Sequence, residues 1–310
     1  MIWGNLLHLS YNMWNDRETP ELENPNPDTF CNSKLRFDKA LWDDLTLKMA
    51  DSGVNMVVID LGDGVKYKSH PELAVEGAWS IKELKDELAR LRKLGIEPIP
   101  KLNFSATHDL WMGRYARMVS TQEYYKVCAD LIKECIEIFD KPRLFHLGMD
   151  EETFGHQRLM EYIVIRQYDL WWKDFNFLVE QVEKNGSQAW IWSDYIWNHK
   201  DEFLNRMSKS VLQSNWYYNA SMESDNPTVQ NYVNSFKFLE SSGYDQIPTG
   251  SNYYNPVNFV ELVKWCKSNL SADRLKGFMQ TPWKPTTEKY REHHYEAIEK
   301  IAEARREFER

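Results

Sequence analysis

Cysteine is scarce: Cys31, Cys128, Cys135 and Cys266 are the only four in 310 residues. None forms a C-x-x-C pair or a finger-like spacing, which sets aside a disulfide framework and a structural zinc site. Cys128 and Cys135 lie seven apart on a helical stretch and are expected in the core. Positive charge is also short, with 38 Lys and Arg against 47 Asp and Glu for a net −9, and no long basic run. Nucleic-acid and anionic-membrane surfaces need clustered Lys and Arg, so neither partner is expected. No apolar run is long enough to span a bilayer. The opening MIWGNLLHLS lacks the basic head and cleavage site of a leader. The chain as it stands is expected to be cytoplasmic, or secreted or periplasmic if a leader was removed. No Gly/Ser/Pro-rich linker divides it, so residues 1–310 are expected to form a single domain.

Aromatic side chains, by contrast, are abundant: 13 Trp, 16 Tyr and 14 Phe. Most are expected in the core, but many fall just after apolar runs, where demand for core residues ends. Short β-rich runs alternate with longer amphipathic ones. Strands are predicted at Trp3–His8, Val54–Asp60, Glu97–Asn103, Arg143–Gly148, Gln188–Ser193, Ser210–Asn215, Tyr244–Thr249 and Leu275–Gln280. Helices are predicted at Phe37–Ser52, Ile81–Leu94, Thr121–Phe139, Gln157–Asn185, His199–Ser208, Pro227–Ser242, Pro256–Ser268 and Glu288–Phe308. Eight strand–helix units with strands apolar on both faces predict an α/β fold, a (β/α)8 TIM barrel. The Asn24–Pro27 patch and the Asp63–Trp79 stretch then become strand-to-helix loops, which build the functional face of such a barrel.

The fourth predicted strand, Phe145-His146-Leu147-Gly148, runs through Met149 into Asp150-Glu151-Glu152. Three adjacent carboxylates at a barrel mouth raise the pKa of at least one, and glycosidic cleavage needs a carboxylic acid that stays protonated. The same residues serve equally well as acidic caps on the next helix. Sequence chemistry alone leaves the two readings level.

The segment resembles the H-x-G-G-D-E motif of family 20 glycoside hydrolases, the β-N-acetylhexosaminidases, with Met149 at the second glycine. The resemblance continues in order along the chain. Asp60-Leu61-Gly62-Asp63, His70-Pro71-Glu72-Leu73 and Gly77-Ala78-Trp79-Ser80 are similar to that family's H-x-T-D, Y-P-E-L and G-A-x-S run. Gly95–Pro100 and Asn103–His108 resemble its G-I-E-V-I-P-E-x-D-x-P-G-H segment. Trp192-Ser193-Asp194, Trp216, Tyr253-Tyr254-Asn255 and Trp283 stand where it has W-D-E, a Trp, Y-L-D and a Trp.

The resemblance implies an exo-acting, retaining hydrolase that uses the substrate's own 2-acetamido oxygen as nucleophile, through an oxazolinium intermediate. Glu151 would be the acid and then the base. Asp150 would hold the acetamido N–H, and Tyr253 its carbonyl. Trp192, Trp216 and Trp283 would wall the sugar, with Asp194 as a further contact. Asp63 and His108 would relay charge to Glu151. The implied substrate is a small molecule or oligosaccharide ending in N-acetylhexosamine.

Three positions depart from the family. His8 and Tyr11 stand near its strand-1 Asp and sugar-gripping Arg, and Pro285 replaces the Glu after its last Trp. His8, Asn12, Trp14 and Asn255 are candidate replacement contacts. Two other readings stay open: a glycosidase pairing Glu151 with Asp194 or Asp63, and a catalytically silent sugar-binding barrel. No cofactor is expected, and no metal, since His156, His293 and His294 form no H-E-x-x-H spacing. His293 and His294 fall on the polar last helix and are expected to be solvated.

Overall fold

The computed structural model describes residues 1–22 and 26–310, so the Asn24-Pro25 half of the proline-rich patch lies outside the described residues. Eight parallel strands form the sheet: β1 (Ile2–His8), β2 (Met56–Asp60), β3 (Glu97–Lys101), β4 (Leu144–His146), β5 (Gln188–Trp192), β6 (Leu212–Ser214), β7 (Thr249–Gly250) and β8 (Gly277–Gln280). They pair in the order β6-β5-β4-β3-β2-β1-β8-β7. The two ends meet through Gln213 N–H to Asp245, Ile247 N–H to Gln213 and Thr249 N–H to Asn215. The sheet therefore closes, and the predicted (β/α)8 barrel is the observed fold.

Strand alternation sorts the core into two layers. In β2, Met56 and Val58 join Leu6, Ile99, Leu144 and Trp190 inside the barrel. Val57 and Ile59 face outward, in the larger layer beneath the helices. Local signals set the helices in turn. Ser80 and Glu83 form a capping box that starts Ile81–Lys93, whose Leu84, Leu88 and Leu91 bury one stripe against the barrel. Cys128 and Cys135 are buried in Gln122–Ile138, as expected.

Three expectations need correction. The seventh strand, predicted over Tyr244–Thr249, is regular only at Thr249–Gly250. Pro248 has no N–H to give the ladder, so regular pairing starts after it. The helix predicted over Gln157–Asn185 forms only at Tyr168–Lys184, and a single turn at Phe154–Gln157 ends where it was expected to begin. Between them lies the β-branched run Ile163-Val164-Ile165, which resists helix. Nor is His294 solvated: it is fully buried with Nε2 on the Pro285 carbonyl, while half-buried His293 places Nε2 2.8 Å from the Pro282 carbonyl.

Just below the mouth, the last residues of β1 to β4, His8, Asp60, Lys101 and His146, stand in register. By strand parity all four point inward. Lys101 donates to the Asp60 carboxylate, and His8 Nδ1 lies 3.5 Å from it. Burial alone would raise the Asp60 pKa, but the Lys101 charge wins and holds it at about 2. Burial lowers the pKa of both His8 and His146, so each imidazole is neutral.

Candidate active site

Above this layer the chain after β4 turns sharply. Gly148, Met149 and Glu151 adopt φ of 71°, 74° and 53°. A Cβ on Gly148 would lie 2.0 Å from Asn103 Oδ1, so that position requires glycine. Met149 holds the left-handed conformation with a full side chain, a strain of about 1–2 kcal/mol that a second glycine would avoid. The turn is clamped by alternate residues of the loop after β3. Asn103 donates to Asp150 Oδ1 at 2.8 Å, Ser105 Oγ donates to the Asp150 carbonyl, and Thr107 Oγ1 to the Glu151 carbonyl at 2.8 Å. Strained backbone held from outside is a common mark of a functional site.

The turn presents Asp150 and Glu151 to a cavity of about 410 Å³. Trp192, Trp216 and Trp283 wall it, with Tyr253 and Tyr254 on one side and Tyr11 and Trp14 on another. His108 stands between the two acids, Nε2 3.3 Å from Glu151 Oε2 and 3.5 Å from Asp150 Oδ2. Its Nδ1 donates to the Met13 carbonyl at 3.3 Å, which fixes the ring and aims Nε2 at the carboxylates. His156 approaches from the far side, Nε2 3.4 Å from Glu151 Oε1. Glu151 therefore lies between two imidazoles.

The electrostatics differ from the expected raised acid. Burial would raise the Glu151 pKa, but hydrogen bonds from His108 and His156 outweigh it and hold the carboxyl well below its usual range. Burial would lower that of His108, but the charges of Asp150 and Glu151 push it up to about 9. His156 is raised as well, by its bond to Glu151. Beside the pair, Asp194 is raised to about 7 through burial and the Asp150 charge. His108, Asp150 and Glu151 are also the one group among the described residues whose ligating atoms come within 4.8 Å of each other as a metal set would. Those atoms are engaged here in hydrogen bonds and ion pairs.

Not every predicted site residue reaches the cavity. Glu151, Asp150, His108, Tyr253, Trp192, Trp216, Trp283 and Trp14 line it. Asp63 does not meet His108: its carboxylate accepts from Ser10 Oγ and from Asn12 Nδ2 at 2.8 Å, and the Met13 carbonyl takes the relay position. Asn12 is consumed by Asp63, Asn32 and Arg36. His8 lies underneath, against Asp60, and Asn255 Oδ1 accepts the Val257 N–H. Asp194 sits beneath the turn, taking the Glu151 N–H at 2.9 Å and the Trp216 indole N–H at 3.3 Å. Glu152, third in the acidic run, is bound by Arg166 and the Ala106 N–H. His156, Tyr218 and Asn103 were not singled out by sequence. Asn103 lies two residues past the proline-containing strand β3, and its only signal was its place at the head of the Asn103–His108 segment.

An α/β barrel with a carboxylate pair strained upward at the end of β4 into an aromatic-walled mouth defines a class of site. No protein-family model and no curated protein sequence matches the chain. Solved structures do. A family 20 exo β-N-acetylglucosaminidase from Vibrio harveyi, in complex with N-acetylglucosamine, superposes with a TM-score of 0.65 at 13% identity, over 98% of this chain and 54% of that one. The Streptomyces plicatus N-acetyl-β-hexosaminidase gives 0.65 at 13%, over 97% and 62%. Dispersin B gives 0.57 at 14%, over 86% and 95%. The chain thus spans about half the length of the Vibrio enzyme. The likeness establishes the fold, that of the barrel these hexosaminidases share.

Proposed function

We propose that this chain is a glycoside hydrolase of the β-N-acetylhexosaminidase kind, acting by substrate-assisted retention. The observation that carries the reading is the Asp150–Glu151 pair, neighbours in sequence, both facing one aromatic cavity with His108 between them. Adjacent carboxyls on one wall are badly placed to act as nucleophile and acid from opposite faces of a sugar, so the nucleophile comes from the substrate. Asp150, pinned by Asn103, orients the 2-acetamido N–H and offsets the positive charge that grows on it. Tyr253 directs the acetamido carbonyl towards the anomeric carbon. Glu151 protonates the departing oxygen and later takes a proton from water.

His108 and Glu151 hold their proton jointly. With the His108 pKa pushed up and that of Glu151 held down, the imidazole carries it before substrate binds, 3.3 Å from the carboxylate. A sugar that excludes water from Glu151 disfavours the carboxylate and draws the proton across, so protonation of the acid follows binding.

The test compares an aryl β-N-acetylglucosaminide with the aryl β-glucoside. Turnover is expected on the first and at least about a hundredfold less on the second, which has no internal nucleophile. Equal turnover on both overturns the mechanism.

A further inference from the structure

Glu151 also belongs to the wall of a second cavity, of about 270 Å³, which opens between the loops after β4 and β5. Phe154 and Tyr168 border it from the first loop, Tyr195 and His199 from the second. We infer that this cavity holds the sugar on the leaving side of the scissile bond, a neutral unit of an oligosaccharide. The inference rests on the hydrolase reading above, in which Glu151 protonates the bridging oxygen.

Position comes first. If the terminal sugar lies in the tryptophan-walled cavity, the bond to be cut lies at Glu151, and whatever follows that bond must leave past the same residue. The second cavity adjoins the first there.

Its walls are built for a ring. Phe175, Trp171, Tyr195 and His199 form one continuous stack, with centroids 5.1, 4.1 and 4.3 Å apart and planes within 21° of parallel. The stack begins in the core, where Trp171 is 2% exposed, and ends in the cavity at His199, whose side chain is 45% exposed. A column anchored at one end and open at the other offers a rigid flat face, and it loses little entropy when a sugar's C–H face covers it. Phe154 and Tyr168 lie open beside it, 62% and 69% exposed. Large apolar side chains left that open call for an explanation when they border a cavity. Tyr168 also sits at φ 55°, which an aromatic residue adopts only at a cost.

Charge sets the class of ligand. Arg166 and Glu152 are paired with each other, and Asp194 is engaged by the Glu151 and Trp216 N–H groups. With no unpaired cation lining the cavity among the described residues, a sulfated or carboxylated sugar finds no partner, whereas a neutral one needs only stacking and hydroxyl contacts.

The double variant Phe154→Ala/Tyr168→Gly tests this, because glycine keeps the left-handed backbone at 168 and so preserves the fold. Two substrates are compared: a β-N-acetylhexosaminyl fluoride, whose leaving group fills no subsite, and a neutral β-N-acetylhexosamine tetrasaccharide. The tetrasaccharide kcat/KM is expected to fall about tenfold while the fluoride stays within about twofold, the size of change that loss of ring stacking produces. Equal change on both substrates, or none on either, overturns the subsite and leaves the hydrolase reading standing. A wild-type protein inert to both substrates overturns the hydrolase reading and the subsite with it.

Discussion

Two groups of ionisable side chains, one buried and one partly open, sit a few residues apart at the mouth of this barrel and are arranged in opposite ways. The lower one, His8, Asp60, Lys101 and His146, occupies the register-matched ends of four strands. Its one anion and one cation bond directly, its imidazoles are neutral, and its backbone is regular strand. The upper one sets Asp150 and Glu151 on a turn with three left-handed residues, brings His108 and His156 against them and faces an open cavity. Glu151 and Glu152 repeat the contrast between neighbours. Glu152 is closed off by Arg166 and by the N–H groups of Ala106 and Arg166, while the oxygens of Glu151 meet only imidazoles that themselves exchange protons. Buried charge that is saturated holds a structure together; buried charge left one partner short is available to a ligand.

The contrast predicts that damage separates cleanly into activity above and stability below. Glu151→Gln is expected to lower kcat by about 10²- to 10⁴-fold, the range for losing a general acid, and to cost only the modest stability held in its contacts with His108 and His156. A Tm loss as large as a core variant's would place Glu151 with the structural group instead. Lys101→Met should do the reverse. It strands the Asp60 carboxylate in the barrel, a cost of about 3–5 kcal/mol by denaturant unfolding, and Lys101→Met/Asp60→Leu should recover most of it. A Lys101→Met protein of undiminished stability would show that the lower layer is not a paired unit.

A smaller effect separates the two groups by pH. The folded pKa of His108 is raised, to about 9 from the ordinary ~6.5. Its proton therefore adds stability in full below about pH 6.5, and the contribution disappears as pH rises through 9. Unfolding free energies of wild type and His108→Gln should differ by about 1–3 kcal/mol more at pH 6 than at pH 9.5. A constant difference would mean that His108 does not carry the pair's proton in the folded protein.

How much of this was legible in sequence follows from what each residue depends on. The eight strands were visible because their apolar runs are local, and β7 was drawn too long because the missing ladder donor at Pro248 weighs little in a hydrophobic run. The segment Phe145–Glu151 was readable as one contiguous unit, since backbone geometry and chemistry coincide there. His156 was not, because its meeting with Glu151 depends on a single helical turn, Phe154–Gln157, which no apolar periodicity marks and which ends where the long helix was expected to begin. The raised acid failed for a related reason. Three carboxylates in a row signal repulsion only until two imidazoles from positions 108 and 156 are placed against one of them.

Asp63 is where motif and geometry part, and it gives the smallest expected effect. A motif match carries over the position of a residue but not the direction of its side chain, and here Ser10 and Asn12 have claimed both carboxylate oxygens. Burial raises the Asp63 pKa to about 6 against the pull of those two hydrogen bonds. A raised acid favours the fold while protonated, so its contribution is complete below about pH 4 and lost as pH climbs through 6. Asp63→Asn removes that titration and turns an amide N–H towards one of two donors, a mismatch worth about 1–2 kcal/mol of stability. None of this touches the imidazole, which takes its orientation from the Met13 carbonyl. The kcat of Asp63→Asn at pH 7.5 is therefore expected within about threefold of wild type, whereas an Asp–His relay loses up to about 10⁴-fold when its Asp becomes Asn. A collapse of that size would put Asp63 back beside His108 in the working protein and move it to the upper group.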